Sequence, residues 1–263
     1  MKNKYSLILI FFLLQVVACK KEAKQPPVQP PLTELQVYGL GSHLTAEKSL
    51  NKDYNYYYDQ FDGSAYQAIN CGPTVTTMAI KWADPAFSKA PVDARNTIPA
   101  SGGWWYTTDI GNYLTMDNIN YSIVSFNASN SDNVIRHSID NNNEVILCLD
   151  MSYALYNASA TEHTNKFYAT NSDGWGHFLL VKGYKEVDGK VYYEIYDPYT
   201  DHKTYQDNSP KGKDRYYLNT TITDATSIWW AYAMIIAPKG QHVVASSGMK
   251  INSIQSIPAA KGR

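Results

Sequence analysis

The dipeptide Asp188-Gly189 separates two strand-like runs, residues 176–184 and 191–197, and constrains the chain more than any other feature. Asp-Gly suits the positive backbone angles of a tight two-residue turn, so the runs are tied into an antiparallel hairpin. His177 opens the first run and Asp197 closes the second. Pairing 187 with 190 makes paired numbers sum to 377, so His177 faces Thr200 and Asp197 faces Leu180. Side chains alternate along a strand, and this register places His177 and Asp197 on opposite faces. One extra residue, in the loop or as a bulge, shifts the register and returns them to a shared face. The expectation is an offset or bulge in this hairpin, or pairing that lapses before Asp197.

The first half of the chain reads as helical and the second as strands. Residues 54–70 form a polar, tyrosine-rich approach, expected as loop. Residues 74–83 form a helix, with Pro73 at its first position and Val75, Met78, Ala79 and Trp82 on one face. Residues 90–105 read as irregular. Thr107 or Thr108 caps a short helix through Met116, and Ser131 or Asp132 caps another through Asp140. Strands are expected at 121–126, 145–149 and 226–236, besides the hairpin. The pattern is α+β, with an antiparallel sheet. No repeat occurs at solenoid or propeller periods.

The ends read as processing segments. Lys2 and Lys4, the apolar run 7–14 and Val16-Val17-Ala18-Cys19 form an export leader, residues 1–18. Val-Val-Ala-Cys resembles a bacterial lipobox, which implies cleavage before Cys19 and lipid on that cysteine. Residues 19–36 follow as a Pro-rich tether that holds the domain off a membrane surface. Residues 37–238 are the expected folded domain, and 239–263 a polar tail. The expected location is the bacterial cell envelope. Formal net charge is -1, with 23 basic and 24 acidic residues, so no basic stripe marks a nucleic-acid partner. The 22 tyrosines suit packing, a peptide groove or stacking on sugars.

Three cysteines occur in all. With Cys19 assigned to lipid, Cys148 lies in an apolar run and reads as a buried core thiol. Cys71 stands in Asn70-Cys71-Gly72-Pro73, directly before the first helix. Free N–H groups and the helix dipole at that end favour a thiolate. Local sequence leaves two readings open, a reactive thiol and a buried cysteine that merely starts a core helix. No CxxC or HExxH spacing occurs, so neither a metal nor a cofactor is expected. Among the six histidines, His43, His137, His163, His202 and His242 read as surface or packing residues. His177 differs, following Gly174-Trp175-Gly176 at the head of a buried strand. Asn171, Asp173 and Asp201 stand as substitutes for Asp197 should the register fail.

The order Cys71-Gly72-Pro73, then Gly176-His177-Phe178, then Tyr196-Asp197-Pro198 resembles the papain-like cysteine peptidases. It is most similar to the bacteriocin-processing (double-glycine) peptidase family and its exported relatives, over about residues 54–238. The resemblance implies a Cys-bearing helix packed on an antiparallel sheet that carries His and Asp. It implies Cys71 as nucleophile, His177 as general base and then acid, and Asp197 as the residue that orients the imidazole. A glutamine upstream is the implied oxyanion donor. Gln60 is preferred over Gln67, which lies only four residues before Cys71. The implied reaction is acyl transfer through a thioester, on a peptide or amide substrate and without a metal. No membrane or ATPase segment follows the domain, unlike the transporter-linked members. A non-catalytic lipoprotein that binds peptide or glycan, and an acyltransferase in which an amine replaces water, are the other readings. The pair Trp104-Trp105 suits either the groove wall or core packing.

Overall fold

The computed structural model describes residues 30–99, 103–170, 174–227 and 230–244, and the backbone of 251–252. The expected leader and most of the expected tether therefore lie outside the described residues. One compact unit begins at Leu32. In chain order its elements are α1 (Glu34–Val37), β1 (Leu44–Ser49), α2 (Cys71–Ala83), α3 (Pro91–Thr97), α4 (Thr107–Met116), β2 (Tyr121–Ser125) and α5 (Ser131–Asp140). Then come β3 (Glu144–Asp150), β4 (Gly176–Val187), β5 (Lys190–Tyr196), β6 (Arg215–Leu218), α6 (Asn219–Ser227), β7 (Tyr232–Ile236) and β8 (Ile251–Asn252). The fold is mixed α+β. The strands form one antiparallel sheet in the order β6-β5-β4-β3-β7-β2-β8, with β1 added on β4.

Helix α2 is buried on all sides except at Lys81, so it is a central helix rather than a surface one. It packs on β3, β4, α3 and α4. Its threonines survive burial because Thr74 Oγ1 donates to Asn70 O at 2.7 Å and Thr76 Oγ1 to Gly72 O at 2.7 Å. The helix starts at Cys71, three residues before the apolar run, so Pro73 is its third residue and not its first.

Two helices replace segments expected otherwise. Residues 91–97 form α3, started by Pro91 and by the Asp93 carboxylate, which accepts from Ala90 N at 2.8 Å. Residues 219–227 form α6, where a strand was the expectation from Thr226 onward. Its threonines favour strand, yet Ile222, Ala225 and Thr226 fall on one helical face and are buried. The strand β7 begins only at Tyr232. Within the tail, Ile251 and Asn252 pair with Val124 and Ile123.

The hairpin carries the expected shift. Asp188 and Gly189 have φ of 50° and 73°, the angles of the tight turn. Val187 pairs with Lys190 and Gly183 with Glu194, in the register that sums to 377. Beyond Lys182 the register becomes 376, with Val181 opposite Ile195 and Leu180 opposite Tyr196. Lys182 is the extra residue. Continued by one step, that register sets Asp197 across from Leu179 and on the face of His177.

Several contacts hold the bulge. The far edge of β4 changes partner there, from β3 along 176–181 to β1 along 183–187. Leu50 N donates to Lys182 O at 2.8 Å. The buried Lys182 ammonium meets Glu194 Oε1 at 2.5 Å, Asp214 Oδ1 at 2.7 Å and Asn51 Oδ1 at 2.6 Å. Gly183 fits because any Cβ there would stand 2.5 Å from Glu194 Oε2 and 2.6 Å from Lys48 O. Lys182→Met strands the buried Glu194 without its cation, and urea unfolding should show a loss of about 3–5 kcal/mol. A loss under about 1 kcal/mol, the scale of an exposed pair, would mean that the ion cluster does not hold the bulge.

Candidate active site

Cys71 is the first residue of α2, and its turn is braced from below. Asn70 Oδ1 accepts from Arg95 Nε at 2.8 Å. The same guanidinium donates to Gly103 O at 2.5 Å and Ile69 O at 3.4 Å. Arg95 is buried, and its charge and that of Cys71 act on one another. Gly72 is required by a close approach, since a Cβ there would stand 2.6 Å from Trp105 Cβ. Trp105 is therefore a packing residue over the turn, its indole N–H donating to Ile98 O at 3.1 Å. Trp104 is exposed.

His177 stands between Cys71 and Asp197. Its Nε2 pairs with Asp197 Oδ1 at 2.8 Å. Cys71 acts on the same imidazole and favours its protonated form, and Nδ1 is the ring nitrogen that Asp197 leaves free. Burial opposes the imidazolium, but the charge and hydrogen bond of Asp197, with Cys71 added, outweigh it and lift the His177 pKa to about 9. Trp175 and Tyr199 pack beside the ring, at centroid distances of 5.4 and 6.2 Å.

Asp197 is wholly buried. Its Oδ1 also accepts from Tyr199 N at 2.9 Å, while Oδ2 accepts from Tyr168 Oη at 2.8 Å and Tyr217 Oη at 3.2 Å. Its own backbone is held too, with N donating to Gly212 O at 2.8 Å and O accepting from Tyr57 Oη at 2.9 Å.

Gln60 is buried in the loop ahead of α2. Its N–H donates to Pro198 O at 2.8 Å, which ties this loop to the residue after Asp197. Its Nε2 donates to Gln67 O at 2.9 Å, leaving the second amide hydrogen uncommitted, and Oε1 is buried without a partner. The Gln67 side chain turns back on its own loop and accepts from Gly63 N at 3.1 Å. Cys148 is buried and free, as is Cys71. Burial pushes the Cys148 thiol well above the usual range, and the charge of Cys71 adds to this.

The remaining histidines do not join the site. His163 is stacked between Tyr38 and Tyr205 at 3.8 and 3.9 Å. Asp201 is exposed, and Asn171 and Asp173 lie outside the described residues. Cys19 also lies outside them. Among the described residues no cluster of three His, Cys, Asp or Glu could hold a metal, and no helix is long and apolar enough to cross a membrane. Sequence reasoning passes over Tyr57, Tyr168, Tyr217 and Arg95. They carry no motif, and only the high tyrosine count hints at three of them.

The His177 shift fixes a pH window. A pKa raised from about 6.5 to about 9 contributes stability that is complete below pH 6.5 and is lost as pH rises through 9. Urea unfolding should show wild type more stable than Asp197→Asn at pH 6, with the gap shrinking toward pH 9.5. A gap that stays flat over this range would contradict the ion pair.

No family model matches the sequence, and no curated protein matches it. Among solved structures, the chain is similar to a protein of Bacillus anthracis described as C39-like peptidase, at 12% identity and a TM-score of 0.44. That match covers 75% of this chain and 100% of the other. A second likeness is to UfSP from C. elegans, at 13% identity and a TM-score of 0.41, over 76% of this chain. This chain spans about a third of that one, 35%. Both overlays fall below a TM-score of 0.5, so the chemistry that follows rests on this chain's own residues.

Proposed function

We propose that the protein is a cysteine-type peptidase or amide hydrolase, with Cys71 as nucleophile, His177 as base and acid, and Asp197 as orienting carboxylate. The observation that carries this reading is the buried His177–Asp197 pair at 2.8 Å, acting together with a thiol at a helix N-terminus. The Cys71 thiol gives its proton to His177 Nδ1, and the sulfur keeps the electron pair. The thiolate adds to the substrate carbonyl. The Cys71 N–H and the free amide hydrogen of Gln60 receive the oxyanion. As the carbonyl reforms, the C–N bond breaks and the imidazolium protonates the leaving amine. Water, deprotonated by His177, then hydrolyses the thioester, releasing the acid and restoring the thiol.

The chain is exported in this reading, with lipid on Cys19 and the tether of residues 19–36 holding the domain at the cell envelope. Support comes from the Val-Val-Ala-Cys pattern and the Pro-rich stretch after it. The substrate is a peptide or amide met at that surface. Order of motifs and arrangement of the site both agree with a papain-like peptidase.

Iodoacetamide labelling of the Cys71 peptide, followed by mass spectrometry against pH, separates an enzyme from a binder. In wild type, labelling should persist at pH 6, and in His177→Ala it should fall at least ten-fold there while surviving at pH 9. Identical profiles in both proteins would favour the non-catalytic binding lipoprotein. On any peptide substrate found by screening, Cys71→Ser should abolish turnover and Gln60→Ala should lower it on the order of 100- to 1000-fold. Products formed only with added amine would reassign the chain to acyl transfer.

A further inference from the structure

We infer that Tyr168 and Tyr217 are positioning residues that lock the Asp197 carboxylate into its pairing with His177. This rests on the peptidase reading and extends it to two side chains outside the Cys-His-Asp set.

A carboxylate offers about four acceptor sites. All four are taken here, by His177 Nε2, Tyr199 N, Tyr168 Oη and Tyr217 Oη. Two consequences follow. The carboxylate cannot swing, because donors hold both oxygens. A proton on Asp197 would also have to expel one of these donors, so the proton on His177 Nε2 stays on the ring when Nδ1 takes the thiol proton. The imidazolium then keeps a full counter-charge through the acyl-transfer cycle.

The two phenols suit this role. Both are buried, and burial first, then the charge of Asp197, raises their pKa well above the usual phenol range, so they remain donors at working pH. Arg215 on β6 acts in the opposite direction on each. The groups on Asp197 are thus His177 from β4, Tyr217 from β6, Tyr168 from the loop before β4, Tyr199 through its N–H, and Tyr57 at its carbonyl. Tyr168 packs its ring on Phe167, Trp175 and Tyr199 at 5.2, 5.3 and 4.6 Å. Replacement by Phe keeps that packing and removes only the hydroxyl.

The test uses the whole chain carrying Tyr168→Phe and Tyr217→Phe together. Labelling of Cys71 by iodoacetamide at pH 6 should drop about ten-fold and at pH 9 should be unchanged. The His177 imidazole, followed by NMR, should titrate at lower pH than it does in the wild-type chain. Unchanged labelling at pH 6 with an unchanged His177 titration overturns the inference. So does an equal loss at pH 6 and pH 9, which is the mark of a merely structural role. If the double variant does not fold, the single variants decide, and Tyr168→Phe, which removes the shorter bond, should have the larger effect. The peptidase reading fails separately, if wild-type Cys71 itself labels no faster at pH 6 than an ordinary thiol. The His177 titration still reports on the phenols in that case.

Discussion

The face that Asp197 presents is decided fifteen residues away from it, at Lys182. Two strands joined by a tight Asp-Gly turn would carry His177 and Asp197 to opposite sides of the sheet. The extra residue at Lys182 turns the far half of β4 by one register step, and both side chains then meet at 2.8 Å. An unsupported bulge would be free to slide. Here the ammonium is trapped among Glu194, Asp214 and Asn51, and the change of partner from β3 to β1 falls at the same residue. Burying a lysine is costly, and its acidic partners offset that cost only where the bulge is in place. The ion cluster therefore specifies register more than it adds stability.

Much of this is legible in the amino-acid order because it is local. The Asp-Gly turn, the alternation through β4 and β5, and the requirement for a one-residue offset all follow from positions within a single hairpin. Cys71 is conspicuous through the glycine and proline beside it. The location of the offset is not legible, since Lys182 becomes the bulge through Glu194, Asp214 and Asn51, which come from three other segments. Helix α6 is lost to the strand preference of its threonines, although its buried residues keep helical spacing. Helix α3 is lost within residues 90–105, which read as irregular although Pro91 starts a helix there.

The surroundings of the site are even less visible in sequence. Tyr57, Tyr168 and Tyr217 reach Asp197 from a loop before α2, a loop before β4 and strand β6. No spacing rule connects them. Arg95 reaches the Cys71 turn from α3 in the same way. Tyrosine is abundant here, and part of that abundance serves as buried hydrogen-bond donors around one carboxylate rather than as a stacking surface for ligand. Packing and polar satisfaction are met by the same side chain, which is the advantage of tyrosine over phenylalanine or serine in such a place.

The hydrogen bond from Gln60 N to Pro198 O has a mechanical meaning. It fastens the loop that carries Gln60 to the residue that follows Asp197. Loss of that bond would free the Gln60 loop, while Asp197 keeps its own partners. The oxyanion side and the carboxylate side of the site are thus tied through main chain as well as through side chains.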